Sequence, residues 1–212
     1  MKHILWDWNG TLLDDTRAAF DTLNIMLRRR GAAEISMDFY RDRFAFPVRP
    51  FYEEIGVKIE SEDWDALAVE YHDLYAGQPK RLNAETIAAL SAVSAAGAKQ
   101  SIISALRQDL LERTVKAEYS LGSFFDKIYG VDNLDGASKL ARAKELVDAI
   151  RRESDDELVM IGDALHDKEV ADELGIACIL CSQGSHAHWR LERVAPTART
   201  LLQAVEMALS QP

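Results

Sequence analysis

The feature that most constrains the fold is an alternation of short apolar runs with longer amphipathic stretches. The apolar runs lie at residues 4–7, 100–104, 127–131, 158–161 and 176–180. Runs this short and this apolar are typical of strands covered on both faces. Because helical patterns separate them, the order predicts a doubly wound α/β fold built on a parallel sheet.

Capping residues indicate where several of the intervening helices begin and end. Asn83 and Ser138 are expected to cap the helices that follow them, and Gly97 and Gly175 are expected to end helices. Thr200, followed three residues later by glutamine, predicts a capping box before the last amphipathic stretch.

One segment, residues 15–81, interrupts the alternation. Phe20, Leu23 and Leu27 share a helical face, and residues 51–55 and 64–75 also have helical patterns, whereas 46–50 (FPVRP) is expected to be a loop. The segment shows no strand pattern. We therefore predict a core formed by residues 1–14 and 82–212, with an all-helical insertion between them.

The charge balance limits the classes of partner. The 25 lysines and arginines are outnumbered by 35 aspartates and glutamates, for a net charge of −10. Nucleic acids and anionic membranes both require clustered basic residues, so neither is an expected partner. Since no apolar run approaches the length of a membrane span and the N-terminal apolar run is too short for a signal peptide, we expect a cytoplasmic protein.

Two cysteines, Cys178 and Cys181, have the spacing of a metal or redox motif, and His186 and His188 follow them. The surrounding residues read as a buried strand, however, in which side chains three positions apart point to opposite faces. We therefore predict two core cysteines rather than a zinc site or a disulfide.

Carboxylates follow two of the predicted strands. Asp7 ends the first strand and precedes the turn residues Gly10 and Thr11, while Asp163 and Asp167 follow the fourth strand. Ligands of doubly wound sheets bind at the carboxyl ends of the strands, where these side chains would meet. Such mutual repulsion requires a cation, and an all-oxygen set of ligands suits Mg²⁺. Ser104 at the end of the second strand and Lys139 at a helix start could bind phosphate oxygens there.

Taken in order, Asp-x-x-Gly-Thr, an apolar run ending in serine, a lysine and Gly-Asp-x-x-x-Asp resemble the haloacid dehalogenase superfamily of phosphatases. The resemblance covers essentially the whole chain, and it likens residues 15–81 to the helical cap of phosphoglycolate phosphatase-like members. It implies that Asp7 is a nucleophile forming an aspartyl-phosphate and that Asp163 and Asp167 bind Mg²⁺ together with Asp7 and the backbone carbonyl of Asn9. It also implies a small phosphorylated metabolite as substrate, a monomer or homodimer, and phosphate binding by the following residues: Trp8, Asn9, Gly10, Ser104, Ala105 and Lys139.

The sequence departs from the family pattern at Asn9, where these phosphatases usually have an aspartate that acts as general acid and base. An amide does not titrate near neutrality, so it cannot transfer that proton. Three interpretations stay open. The enzyme is a slow phosphatase, or one whose substrate has a good leaving group, as in an acyl phosphate or pyrophosphate. Alternatively, another residue supplies the proton, or the protein binds phosphorylated ligands without useful turnover. The candidate donors are His166, His72, Tyr40 and Tyr52.

Related chemistries make different demands on the chain. A response-regulator receiver domain has its phosphoacceptor on the third strand, and a metal-free haloacid dehalogenase does not need the pair Asp163 and Asp167. A phosphonate hydrolase would need a cap lysine, for which only Lys58 and Lys80 are available. Arginines of the insertion could reach a substrate anion, with Arg49 the best candidate among Arg17, Arg41, Arg43 and Arg49.

Overall fold

The fold centres on a parallel sheet of six strands. The computed structural model describes residues 1–61, 63–132 and 139–210. In chain order its strands are β1 (Lys2–Trp6), β2 (Leu13–Asp14), β3 (Arg81–Leu82), β4 (Lys99–Arg107), β5 (Lys127–Val131), β6 (Glu157–Gly162), β7 (Ala177–Cys181) and β8 (Thr197–Ala198). The large sheet has the order β5-β4-β1-β6-β7-β8, with all neighbours parallel. The predicted doubly wound α/β fold is confirmed.

All five predicted strands are present, with ends that differ by up to three residues. The three further strands are each two residues long, too short for a periodic pattern to be visible in a sequence. Two of them, β2 and β3, pair antiparallel through Leu13 with Leu82 and Asp14 with Arg81. This small ribbon lies at both ends of the segment 15–81.

Helices cover both faces of the sheet. They are α1 (Thr16–Arg29), α2 (Met37–Arg43), α3 (Val48–Glu54), α4 (Trp64–Ala76), α5 (Thr86–Ala95), α6 (Gln108–Glu112), α7 (Lys139–Glu153), α8 (Leu165–Leu174), α9 (His188–Leu191) and α10 (Leu201–Ser210). Side chains alternate across β1, so Ile4 and Trp6 pack in the cluster of α5 and α10, while Leu5 packs in that of α7 and α8.

The two cysteines occupy opposite faces of β7, as predicted. Cys181 belongs to the cluster under α5 and α10, and Cys178 to the cluster under α7 and α8. Both are buried and free. They are core residues, because their thiols point to different layers of the molecule.

The helix ends follow the sequence signals in part. Thr200 accepts a hydrogen bond from the Gln203 amide at 3.2 Å, as a cap should. Asn83 does not cap α5 directly; it accepts from the Glu85 amide, and the helix begins one residue later. The predicted cap at Ser138 lies outside the described residues. Among those residues, no helix is both long and apolar enough to cross a membrane.

Residues 15–81, which we call the helical insert, contain α1 to α4 and their own hydrophobic cluster. Leu27, Tyr40, Phe51 and Leu67 are among its fully packed members. The prediction of a loop at 46–50 is wrong for residues 48–50, because α3 begins at Val48. A proline at 50 fits there because amides of the first helical turn have no intrahelical acceptor.

The helical insert docks on the core through a small set of hydrogen bonds at α9. The carbonyl of Arg41 accepts from the Ala187 amide at 3.1 Å, and the carbonyl of Phe44 accepts from Arg190 at 2.9 Å. His186 donates from Nε2 to the same Phe44 carbonyl at 2.7 Å and accepts at Nδ1 from the Leu165 amide at 2.8 Å. A neutral imidazole is required for this pair of bonds.

Burial, with a smaller contribution from Arg190, lowers the pKa of His186 to about 4 from its ordinary 6.5. His186 is therefore protonated near pH 6.5 in the unfolded chain but only near pH 4 in the folded protein. As the pH is lowered from about 6.5 to about 4, we expect the free energy of unfolding to fall by up to about 1.4 kcal/mol for each pH unit. In urea titrations the wild type should lose more stability than His186→Gln as the pH falls through this window, because the other titrating groups are common to both proteins, and equal slopes would contradict the assignment.

Candidate active site

The site is built where the central strands β1 and β6 end side by side. Asp7 follows β1, and its amide donates to the Ile161 carbonyl of β6 at 2.9 Å. Asp163 follows β6 directly. Because both strands run in the same direction, their carboxyl ends bring the two aspartates to one edge of the sheet.

Lys139, at the start of α7, lies between two of the aspartates. Its Nζ donates to Asp7 Oδ1 at 2.5 Å and to Asp167 Oδ1 at 2.7 Å. All three side chains are at least 93 % buried. The contact joins residues 132 positions apart in the chain.

Asp167 is held rigidly in the first turn of α8. Its Oδ2 accepts from the amides of Asp163 at 3.0 Å and Ala164 at 2.9 Å, while Oδ1 accepts from Lys139. Burial acts to raise its pKa, but Lys139 and these donors lower it below the ordinary value. Asp167 therefore stays ionised.

Asp163 and Asp7 are less well compensated. Burial, together with the charge of Asp167, raises the pKa of Asp163 to about 7. Burial raises the pKa of Asp7 well above its usual range, and Lys139 opposes the shift only in part. One carboxylate oxygen from each of Asp7, Asp163 and Asp167 lies within 4.8 Å of the other two. These three buried carboxylates, with one ammonium among them, could hold a metal ion.

Two glycines make this packing of carboxylates possible. A Cβ at Gly162 would collide with the carboxyl group of Asp167, and one at Gly184 would collide with that of Asp163. The Ser185 amide, next to Gly184, donates to Asp163 at 2.6 Å. The loop after β7, which contains Gly184 and Ser185, therefore holds the Asp163 carboxylate in place.

Asn9 is fully engaged in hydrogen bonds. Its Nδ2 donates to Asp15 at 2.7 Å and to the Tyr75 hydroxyl at 3.1 Å, and its Oδ1 accepts from Ser104 at 3.3 Å. Asn9 therefore has no free donor with which to protonate a leaving group. Ser104 is completely buried and also accepts from the Leu106 amide at 3.0 Å.

Asp15 is the site residue that the sequence reasoning missed. It is 5 % exposed and accepts from the Gly10 amide at 2.7 Å, from Asn9 and from the Tyr75 hydroxyl. Burial raises its pKa, although these donors oppose the rise. The sequence signal for this residue was the pair of adjacent aspartates at positions 14 and 15, and neither belongs to the motifs on which the prediction was based.

A cavity of about 220 Å³ opens from these side chains into the helical insert. Asp7, Asn9, Asp15, Asp163 and Asp167 line its floor with Lys139 and Ala105. The predicted phosphate-binding residues Asn9, Ala105 and Lys139 thus face this space. Trp8 packs in the core instead of lining the cavity, and the Gly10 amide is donated to Asp15.

The candidate proton donors Tyr40, Tyr52, His72 and His166 all line the cavity. Burial raises the pKa values of Tyr40 and Tyr52 well above their usual range, so both stay protonated. His166 lies 3.2 Å from Glu169 and 5.3 Å from the Phe46 ring, ring centre to ring centre.

None of the four candidate arginines of the helical insert lines the cavity. Arg17 pairs with Asp21 at 2.8 Å and Arg43 with Glu54 at 3.5 Å, while Arg49 is exposed and lies over the Trp64 ring at 5.4 Å. Arg41 likewise does not line the cavity.

Neither of the two candidate cap lysines lines the cavity. Lys80 donates to backbone carbonyls at the end of α4, at 2.6 Å from that of Tyr75 and 2.9 Å from that of Gln78. It therefore acts at the end of this helix rather than in the cavity.

The chain is similar to known proteins in its family profile and in its fold. A family profile described as haloacid dehalogenase-like hydrolase matches residues 4–181. No curated protein matches the chain. Among solved structures, a predicted phosphatase from Clostridium acetobutylicum is 18% identical, with 99% of each chain covered and a TM-score of 0.77.

Two further solved structures share the fold. Protein Tyrosine Kinase A of Mycobacterium tuberculosis is 20% identical, with 99% of this chain and 98% of that one covered and a TM-score of 0.76. A predicted phosphoglycolate phosphatase from Haemophilus somnus is 14% identical, with 98% and 97% covered and a TM-score of 0.70. At these identities the likeness concerns the fold alone.

Proposed function

Since the chain belongs to the haloacid dehalogenase-like hydrolase family, we propose that it is a Mg²⁺-dependent phosphatase of small phosphorylated molecules. The observation that carries the proposal is the pairing of Asp7 with Lys139, beside Asp163 and Asp167, on the floor of a cavity. The helical insert acts as a cap that closes over this floor and excludes water while the phosphoryl group is transferred.

Asp7 is the nucleophile in this proposal. One of its carboxylate oxygens forms a bond to phosphorus while the bond from phosphorus to the leaving oxygen breaks. Water then attacks the aspartyl-phosphate and releases inorganic phosphate, which regenerates Asp7. Covalent catalysis of this kind divides one difficult displacement into two easier steps.

Lys139 has two tasks in the proposed reaction. Its ammonium holds Asp7 in position through the bond at 2.5 Å and offsets the charge that gathers on the phosphoryl oxygens. Asp167 in turn orients Lys139 through its own bond at 2.7 Å. Asn9 and Ala105, which line the cavity beside Lys139, complete the phosphate-binding side, and Ser104 holds the Asn9 side chain from behind.

The donor set fits Mg²⁺, because Asp7, Asp163 and Asp167 offer clustered oxygen ligands in a pocket with an excess of negative charge. Asp7, Asp163 and the Asn9 carbonyl would hold the ion, with Asp167 contributing directly or through water. When bound, Mg²⁺ supplies positive charge that offsets the repulsion between the carboxylates and the phosphate.

The test is phosphate release from phosphate esters, acyl phosphates and pyrophosphate, in Mg²⁺ and in EDTA. We expect turnover that EDTA abolishes. If no substrate releases phosphate even with Mg²⁺, while calorimetry detects binding of phosphorylated compounds, the protein is a phospholigand-binding protein. That result would overturn the proposed function.

An aspartate at position 9 is informative only in a variant that keeps one carboxylate and one amide at positions 9 and 15. Asn9→Asp alone would place two carboxylates 2.7 Å apart, since Asp15 accepts from the Asn9 amide. We expect this single variant to lose about 1–3 kcal/mol in the free energy of unfolding. The exchange of both residues, Asn9→Asp with Asp15→Asn, should recover most of that loss in urea titrations, and an unaltered single variant would contradict this reading of the contact.

A further inference from the structure

The walls of the cavity are aromatic. Phe44, Phe46, Tyr52, Trp64 and Tyr71 face it from the helical insert. Aromatic walls favour flat apolar ligands through offset-stacked and edge-to-face contacts. A volume of about 220 Å³ is enough for one ring with a small substituent, since a cavity near 150 Å³ already holds benzene.

Among the described residues, no lysine or arginine other than the paired Lys139 lines the cavity to receive a second anionic group of the substrate. Within the described ranges, Lys139 is the one lysine or arginine that lines it, and this residue is already paired with Asp7 and Asp167. Residues 62, 133–138 and 211–212 include no lysine or arginine. With Asp15 also facing the cavity, a substrate carboxylate would meet charges of its own sign.

The leaving oxygen receives no proton from position 9. Both donor hydrogens of the Asn9 amide are directed at Asp15 and Tyr75, and an amide does not titrate. An asparagine at this position therefore favours a leaving group that departs as an anion of modest basicity and needs no proton from residue 9. A phenol ionises near a pKa of about 10, whereas an alcohol, like water, is a far weaker acid.

We propose that the substrate is a phosphate monoester of a small neutral phenol, whose ring lies between the aromatic side chains of the helical insert. This inference rests on the proposed function. The Asp7 carboxylate forms the new bond to phosphorus, and the aryl oxygen leaves with the electron pair of the broken bond and takes its proton from solvent. Water then cleaves the aspartyl-phosphate, so phenol and phosphate are the products.

Three esters separate the three arguments in steady-state assays with Mg²⁺. Phenyl phosphate has the ring and the good leaving group, cyclohexyl phosphate has a similar size with a poor leaving group, and phosphoglycolate is small and anionic. We expect kcat/KM to fall in that order, with phenyl phosphate at least about 10²-fold above cyclohexyl phosphate. In the exchange variant Asn9→Asp with Asp15→Asn, cyclohexyl phosphate should gain about 10²-fold and the gap should narrow.

Trp64→Leu tests the aromatic wall. We expect KM for phenyl phosphate to rise about tenfold through lost ring contact, whereas turnover of acetyl phosphate, which has no ring, should stay within about twofold. The acetyl phosphate readout also shows that the variant is folded.

The outcomes are distinguishable. Preference for phosphoglycolate over both other esters, or an unchanged ratio of phenyl to cyclohexyl phosphate in the exchange variant, would overturn the substrate assignment and leave the phosphatase intact. Equal loss of phenyl and acetyl phosphate turnover in Trp64→Leu would overturn the ring contact. Absence of phosphate release from every compound, acetyl phosphate included, would instead overturn the proposed function.

Discussion

Asp7→Asn is expected to lower phosphate release by about 10⁴-fold or more, because the amide cannot form the bond to phosphorus on which the proposed reaction depends. The variant should still fold. Asparagine fills the same volume at the end of β1, and Lys139 keeps Asp167 as a partner. The measurement is phosphate release per active site with saturating Mg²⁺, beside the melting temperature of each protein.

Asp14→Asn is the matched control for this loss. Asp14 is a near neighbour on β2, where it pairs with Arg81 at 3.0 Å on the exposed side, away from the cavity. The same chemical change there should leave kcat within about twofold, since surface ion pairs contribute little to stability. Retention of more than a hundredth of the wild-type rate by Asp7→Asn would contradict its role as nucleophile.

Lys139→Met is expected to cost about 3–5 kcal/mol in the free energy of unfolding, because it leaves Asp7 and Asp167 buried without their cation. Methionine keeps much of the length and apolar contact of the lysine stem, so the loss measures charge more than packing. Phosphate release should also fall by at least about 10²-fold, since the ammonium no longer offsets the transferred charge.

Lys144→Met, an exposed position on the same helix α7, is the control. It removes one positive charge from the same element and should change the free energy of unfolding by less than about 0.5 kcal/mol. Urea titrations in EDTA compare the two variants. Similar stabilities for both would show that the buried pairing does not hold the site together.

The strands and the carboxylates at their ends were accessible from the sequence, because buried parallel strands are short apolar runs and their order places the chemistry at one edge. Asp7, Lys139, Asp163 and Asp167 are brought together as that reasoning requires. Their catalytic and metal-binding roles stay predictions until the variants are measured.

What the sequence could not show were contacts that depend on three-dimensional packing. The bond between Asn9 and Asp15 joins residues six apart across a turn, and Tyr75 arrives from α4, 60 positions beyond Asp15. The position of Arg49 was equally unpredictable from the sequence, because its contact with Trp64 depends on how α3 lies against α4. Periodicity describes which face of an element is apolar, not which side chains of separate elements meet.

Trapping of a phosphorylated Asp7 is the most direct test of the account. Because Asn9 cannot deprotonate the attacking water, the second step should be the slower one, and the intermediate should accumulate. On rapid mixing with para-nitrophenyl phosphate and Mg²⁺, we expect a burst of nitrophenol approaching one equivalent per enzyme. The acid-quenched peptide that contains Asp7 should carry a phosphoryl group. Steady turnover with no burst and an unmodified Asp7 would contradict covalent catalysis by this residue.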